Sequence, residues 1–299
     1  RSPAARGKVV LDAMNLLATM ESDATFGAVA ASYNADIVAS LTYSTVTTNT
    51  TVLAAGEGQV LAMTTSADAL VGGSKNDSVS SLYFADNGTG TTIQAGDSFT
   101  GGAGTDTLTI AVAGLSSAAQ TLSAVQTSGV EKLLVSNFDT NADDDHDHTI
   151  DATLMSSLAT VGLSSSSATG DTEFSSLQNL VDAEMRSGNG DLTVTYVSTV
   201  IAGTTDTQNL TVSGLTGGAF TAAGVETVNI TSETIKSTLA TLTTAAATSL
   251  TITGDKQLTI TAALNATNTA LKTIDATGAT GGVVLLDNSS TVSFTGGAG

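Results

Sequence analysis

The chain has 299 residues, enough for one large or two ordinary domains, and carries 28 Asp and Glu against 9 Lys and Arg, a formal net charge of -19. That balance excludes a nucleic-acid partner, which needs a basic surface, and the lack of cysteine excludes disulfides and Cys-zinc sites. With 41% hydrophobic residues, 30 glycines, one proline and no tryptophan, the composition suits many short small-residue strands turned by glycine, and no apolar run reaches the length of a membrane span.

Residues 1–44 read as a short α-helical segment. Val9, Val10, Met14, Leu16, Leu17 and Met20 recur near helical spacing, and Ser2-Pro3 suits a helix start. A second helix begins near Asp23 and puts Phe26, Val29, Tyr33, Ile37 and Leu41 on one face. The chain opens on Arg1 without a signal-peptide pattern.

From residue 45 the pattern turns to β. Stretches such as TLTIAV, EKLLVS, LTVTYV, NLTVSG, ETVNIT, SLTITG and QLTITA alternate in polarity, with Gly, Asp, Asn or Ser between them. Their loose recurrence predicts a mainly β fold, a parallel β-solenoid of stacked short strands. We divide it into residues 45–137, which hold the calcium-type turns, and residues 138–299.

The segment 66–110 carries the most specific signal. Gly101-Gly102-Ala103-Gly104-Thr105-Asp106-Thr107-Leu108-Thr109 fits every fixed position of the nonapeptide GGxGxDxUx, a calcium-binding parallel β-helix repeat in which U is large and apolar. Glycines allow a tight turn with inward carbonyls. The aspartate supplies a carboxylate, and U points into the coil and fills it. Asp97 stands nine residues before Asp106, with Gly96 before it and Phe99 at U. Upstream, Asp68 and Asp77 are also nine apart, with Leu70 and Val79 at U and Gly72-Gly73 between them. Each member of the second pair lies 29 residues after its counterpart in the first. The candidate calcium ligands are therefore Asp68, Gly73, Asp77, Gly96, Asp97, Gly102, Gly104 and Asp106. Only one nonapeptide is complete, because Asn76 stands amid GGSKND where a GxG pattern would be expected. Long nonapeptide stacks are absent, so each ion needs ligands from elsewhere.

A longer duplication follows. GTDTLTIAVAGL and then GVEKLLVS (residues 104–136) match GTTDTQNLTVSGL and then GVETVNIT (residues 203–231), which makes Glu131 and Glu226 further candidate ligands. Residues 141–148, NADDDHDH, form an acidic loop in which Asp143 and Asp145 are candidate calcium ligands, or His146 and His148 zinc ligands, against the plain reading of a solvated loop. Residues 171–186 show Phe174, Leu177, Leu180, Val181 and Met185 at helical spacing, and we expect a helical insertion there. Asp255 and Asp275 sit at expected turns and are further candidates. The terminal SFTGGAG repeats residues 98–104 and then stops, which reads as truncation inside a repeat.

The tandem GDSFTGGAGTDTL, the GVETVNIT phrase and the Thr/Ala/Val-rich strands resemble the RTX-type bacterial surface-layer proteins over most of residues 45–299. The resemblance implies a structural protein, not an enzyme, that leaves the cell by a type I system. It implies that copies of the chain assemble into a calcium-dependent lattice on the cell surface. Residues 1–44 would then end an anchoring domain that meets cell-surface polysaccharide or lipopolysaccharide. The nonapeptide is shared with RTX toxins, proteases, lipases and adhesins, so the repeat region of a secreted adhesin or hydrolase is the alternative. Catalytic patterns are lacking in the sequence: both histidines lie in one acidic loop, and there is no nucleophile elbow, P-loop or dinucleotide fingerprint.

Overall fold

The computed structural model describes residues 58–84, 88–114, 119–122, 125–139, 148–287 and 291–297, with isolated residues between 16 and 34. The chain forms two compact units, residues 1–53 and 54–299. In the first, Leu16, Gly27, Ala30, Ala31 and Asn34 are helical. The Asp23 carboxylate accepts the N–H groups of Thr25 (2.8 Å) and Phe26 (2.9 Å), capping the second expected helix at its first residue. These bonds hold its pKa below the usual carboxylate value.

The second unit is a parallel β-solenoid, and among the described residues every strand pair in it is parallel. One sheet of the described residues has eleven strands. In order they are β1 (Val60–Ala62), β3 (Ser78–Phe84), β5 (Thr107–Ala113), β8 (Lys132–Asn137), β10 (Thr160–Ser166), β12 (Asp182–Arg186), β14 (Thr207–Ser213), β16 (Thr227–Ser232), β19 (Ser249–Gly254), β21 (Thr273–Ala279) and β23 (Ser293–Gly296). A second sheet has six: β6 (Gln120–Leu122), β9 (His148–Asp151), β11 (Thr172–Leu177), β13 (Leu192–Tyr196), β15 (Ala219–Ala222) and β18 (Thr241–Thr243). Two three-stranded sheets complete the coils, one of β2 (Ala69–Val71), β4 (Ser98–Thr100) and β7 (Gln126–Ser128), the other of β17 (Ser237–Leu239), β20 (Leu258–Ala263) and β22 (Val283–Leu286). A one-turn helix, Leu264–Thr267, interrupts a late coil.

Alternation dictates this architecture. In a strand, successive side chains face opposite sides, so each TLTI-like stretch buries every second residue. In β5, Leu108, Ile110 and Val112 are buried while Thr107, Thr109 and Ala111 are half-buried. In-register pairing then stacks like upon like: Val79, Leu108, Leu133, Val161, Ala183, Leu210, Ile230 and Ile252 form one apolar ladder through eight coils. Ile150, Phe174 and Val194 stack likewise in the six-stranded sheet. Phe99, Phe174 and Phe220, all fully buried, are among the largest side chains in the core. The four expected U residues behave as read: Leu70 pairs with Phe99, and Val79 with Leu108.

The eleven-stranded sheet runs unbroken from β8 through β10, across residues 137 and 138. One expectation is corrected. Residues 171–186 are not a helix but β11 and β12, in two different sheets. Inside β11 and β12 the burial alternates only in part, and Ser176 takes a left-handed φ of 57°. The corner between the strands carries Asn179 and Leu180 outward. Joining two period-2 strands through a corner gave buried positions at 174, 177, 181 and 185, which imitate the helical period.

This difference is measurable. Phe174→Ala should lower stability by about 3–5 kcal/mol, the usual cost of emptying an aromatic core site. Leu180→Ser should change it by only about 0.5 kcal/mol, as for surface positions. A helix would bury both on one face, so equal losses in urea unfolding midpoints would contradict the strand assignment.

Candidate functional site: files of carboxylates at the coil corners

Acidic residues stand directly before many of the strands. Asp68 precedes β2, Asp77 β3, Asp97 β4, Asp106 β5, Glu131 β8, Asp171 β11, Asp191 β13, Asp206 β14 and Glu226 β16. The physical reason lies in the backbone. Where a coil turns a corner, an N–H group leaves the ladder and needs another acceptor. A carboxylate supplies one, and a charge-assisted bond is stronger than a neutral one.

The bonds run from coil to coil. The Asp77 N–H donates to Asp106 Oδ1 at 2.6 Å, and the Asp106 N–H donates to Glu131 Oε2 at 2.8 Å. The carboxylate of Asp77 in turn accepts the N–H groups of Gln59 and Gly73. In a second file the Asp68 N–H donates to Asp97 Oδ1 at 2.8 Å, while Asp97 Oδ2 accepts from Gln94 N–H and Asp68 Oδ2 from Thr64 N–H, each at 2.6 Å. The 29-residue offset read in the sequence is thus one coil, and it is the donor–acceptor offset of both files.

The duplicated phrase repeats the device. The Asp206 N–H donates to Glu226 Oε2 at 2.9 Å, as Asp106 does to Glu131. Both Asp106 and Asp206 carbonyls accept two N–H groups from the next coil, those of Glu131 and Lys132, and of Glu226 and Thr227. A fourth file, in the six-stranded sheet, runs the other way: Asp191 N–H donates to Asp171 Oδ1 (2.7 Å) and Ala219 N–H to Asp191 Oδ1 (2.6 Å). Asp171, Asp191 and Asp206 were not singled out from the sequence. The signal that finds them is an acid one residue before an alternating run.

Glycine makes room for the first file. A Cβ on Gly101 would lie 1.8 Å from the Gly129 carbonyl oxygen and 2.4 Å from Asp106 Oδ2. One on Gly102, whose φ is +104°, would lie 2.1 Å from the Gly73 carbonyl oxygen. Gly96 and Gly104 also take positive φ, 99° and 130°. The glycine turn therefore lays carbonyls and a carboxylate against bare backbone.

Burial leaves two carboxylate oxygens without a hydrogen-bond partner among the described residues. Asp77, Asp97 and Asp106 are 2%, 1% and 0% exposed. Asp106 Oδ2 is buried without a hydrogen-bond partner, and Asp206 Oδ2 is the other such carboxylate oxygen among the described residues. Burial pushes the Asp106 pKa up, the charges of Asp77 and Glu131 add to this, and the Asp77 N–H partly offsets it. Carboxylates on neighbouring rungs, about 5 Å apart, repel by roughly 3 kcal/mol at an effective dielectric constant near 20. Among the described residues no ion pair relieves this file. Nor do three or more acidic or histidine side chains converge there as a ready-made metal cage. A cation at the corner would draw on Asp106 Oδ2 and the glycine carbonyls, a hard-oxygen donor set that fits calcium.

The remaining candidates are placed elsewhere. Asp255 lies exposed on a turn and pairs with Lys256 Nζ at 2.5 Å, which holds its pKa low. Asp275 lies within β21, not at a turn, and accepts from Thr277 N–H (2.9 Å) and Oγ1–H (2.7 Å). Asp143 and Asp145 fall outside the described residues. Compared with known protein families, with curated proteins and with solved structures, the chain matches none. Its class rests on the architecture: a parallel β-solenoid with files of carboxylates at its corners.

Asparagine separates the two duties of Asp106. In chelator, Asp106→Ala leaves the buried Asp77 N–H without its acceptor and should cost about 1–3 kcal/mol. Asp106→Asn keeps the acceptor and removes the charge, so it should be at least as stable as wild type at pH 7. Because the folded-state pKa is raised, the wild type regains stability as pH falls through that value, and the gap to Asp106→Asn should close. Urea unfolding at pH 7 and at mildly acid pH measures both; a less stable Asn variant at pH 7 would contradict the burial argument.

Proposed function

We propose that the chain is a structural segment of a secreted bacterial surface-layer protein, a calcium-dependent scaffold that assembles with copies of itself. The observation that carries this reading is the buried file Asp77–Asp106–Glu131, with its partnerless Oδ2, set in a continuous parallel solenoid. Such a file is over-charged when bare and complete when a cation is added. Asp77, Asp106 and Glu131 would hold the ion with carbonyls of the glycine turn. Asp68 and Asp97 form a second file of the same construction. The ion supplies positive charge where the chain offers none, and it binds only the folded form.

The outer surface suits a scaffold. Threonine, serine and asparagine hold the solvent side of the long sheet, as in Thr207–Thr227–Ser249–Thr273–Ser293, which pair in register. Asn229 donates to Asn209 Oδ1 (3.0 Å) and Asn209 to Asp182 Oδ1 (2.8 Å) along the same face. A net charge of -19 keeps copies apart until cations reduce it.

Extracellular calcium modules bind at roughly 10⁻⁴–10⁻³ M. At 10 mM calcium one such site stabilises by about 1.4–2.7 kcal/mol. Calorimetry should therefore show the wild-type melting temperature rise by several degrees, with magnesium a poor substitute, and Asp106→Asn should lose much of the rise. Light scattering on the full-length chain should show monomers in chelator and ordered assemblies in calcium. Equal melting with and without calcium overturns the calcium site. Calcium binding with persistent monomers overturns the lattice and leaves the repeat region of a secreted adhesin or hydrolase.

A further inference from the structure

The turn between β12 and β13 contains Asn189-Gly190. Asparagine is a thermolabile residue, and most so before glycine, whose backbone nitrogen attacks the asparagine amide unshielded by a side chain. The chain has one other such pair, Asn87-Gly88, whose asparagine lies outside the described residues. Packing explains the glycine. A Cβ on Gly190 would lie 2.4 Å from the Gly170 carbonyl oxygen and 3.0 Å from Ser166 Cβ, so no other residue fits. The next coil closes the other side. A Cβ on Gly218 would lie 2.5 Å from the Gly190 carbonyl oxygen, and one on Gly217 would lie 3.2 Å from Asn189 Cβ. The Thr216 N–H donates to the Gly188 carbonyl at 2.9 Å. Close stacking thus imposes the glycine that makes Asn189 labile.

The attacking nitrogen is not free. The Gly190 N–H donates to Ser166 Oγ at 2.9 Å, a buried bond at the end of β10. Attack requires that nitrogen to lose its proton, and losing it gives up the bond. A serine hydroxyl at neutral pH is too weak a base to take the proton itself. Asn189 is only half-buried, so water reaches its side chain, and the hydrogen bond to Ser166 stands between the pair and its chemistry.

We propose that Asn189 is a deamidation site held in check by Ser166 of the preceding coil. The reaction held back begins when the Gly190 nitrogen, its proton lost to solvent, bonds to Asn189 Cγ. The Cγ–Nδ2 bond breaks, and ammonia leaves with a proton taken from water, so residues 189 and 190 share a succinimide. Water then opens the ring at one of its two carbonyls and leaves aspartate or isoaspartate. Either product adds a carboxylate beside Asp191, whose N–H already rests on Asp171 Oδ1. Isoaspartate also lengthens the main chain by one carbon just before β13. That opposes the register in which Leu192 stacks between Thr172 and Phe220.

Full-length protein aged at mildly alkaline pH, then digested with trypsin, yields the peptide that follows Arg186, and mass spectrometry reads deamidation at Asn189 in it. Native wild type should deamidate there far more slowly than the same protein unfolded in urea. Ser166→Ala removes the acceptor and should quicken the native reaction by about tenfold, which corresponds to about 1.4 kcal/mol, the order of one buried bond. Ser166→Cys keeps nearly the same shape with a weaker acceptor and should act in the same direction. Ile252→Ala opens a core cavity in a later coil and should leave the native rate unchanged. Native deamidation as fast as in urea overturns the proposal. So does a wild-type rate in the Ser166 variants, or an equal quickening in Ile252→Ala. Hydrogen exchange at the Gly190 N–H of the wild type should be strongly slowed, and an unprotected N–H overturns the proposal whether or not the variants fold.

Discussion

A backbone N–H at a coil corner must find an acceptor, and much of this structure follows from how that need is met. Along a strand the next coil provides a carbonyl. At the corner it does not, and the chain supplies a carboxylate from the residue just before the strand, as Asp106 does for Asp77 and Glu131 does for Asp106. One acid fixes the corner, the corner fixes where the next strand begins, and that start fixes which residues face inward. A shift of one residue would turn Leu108 and Ile110 outward and Thr107 and Thr109 into the core. The carboxylates thus set the register on which the apolar ladder depends.

The same solution carries its own cost. Stacked coils bring like charges into file, and the chain has few bases with which to answer them. The cost concentrates at Asp106, which is fully buried and retains an oxygen without a partner. Asp206 keeps a buried oxygen as well, although its residue is less enclosed. The duplicated phrase therefore copies a strained arrangement as well as a strand pattern.

The sequence made the fold legible wherever a side chain reports its own direction. Leu70, Val79, Phe99 and Leu108 were placed correctly because alternation and the nine-residue spacing agree. The 29-residue offset was visible before its meaning, the length of one coil. Residues 171–186 were misread because a corner inserts residues without a polarity signal, so two strands summed to a false period. The candidate site was half legible. Glycine and aspartate marked the first two files; Asp171, Asp191 and Asp206 lack the double glycine of the complete nonapeptide, although Gly170 and Gly190 stand directly before the first two. His148 was read only as part of an acidic loop and Asn137 gave no signal, because their contact joins segments that only the folding brings together.

Gly162 has a consequence for how the solenoid responds to load. Its lack of a side chain leaves space on the outer face, where a Cβ would lie 2.5 Å from Glu184 Cγ. The Glu184 side chain crosses that space to Lys132 at 2.9 Å, skipping the β10 rung, while Arg186 reaches on to Glu233 at 2.9 Å. A stack whose rungs touch only their neighbours frays one rung at a time. Here a chain of ion pairs joins rungs that are not adjacent, so β8, β10 and β12 resist separation as a block. Pulled along its axis, such a rod would yield first on either side of this splint rather than within it.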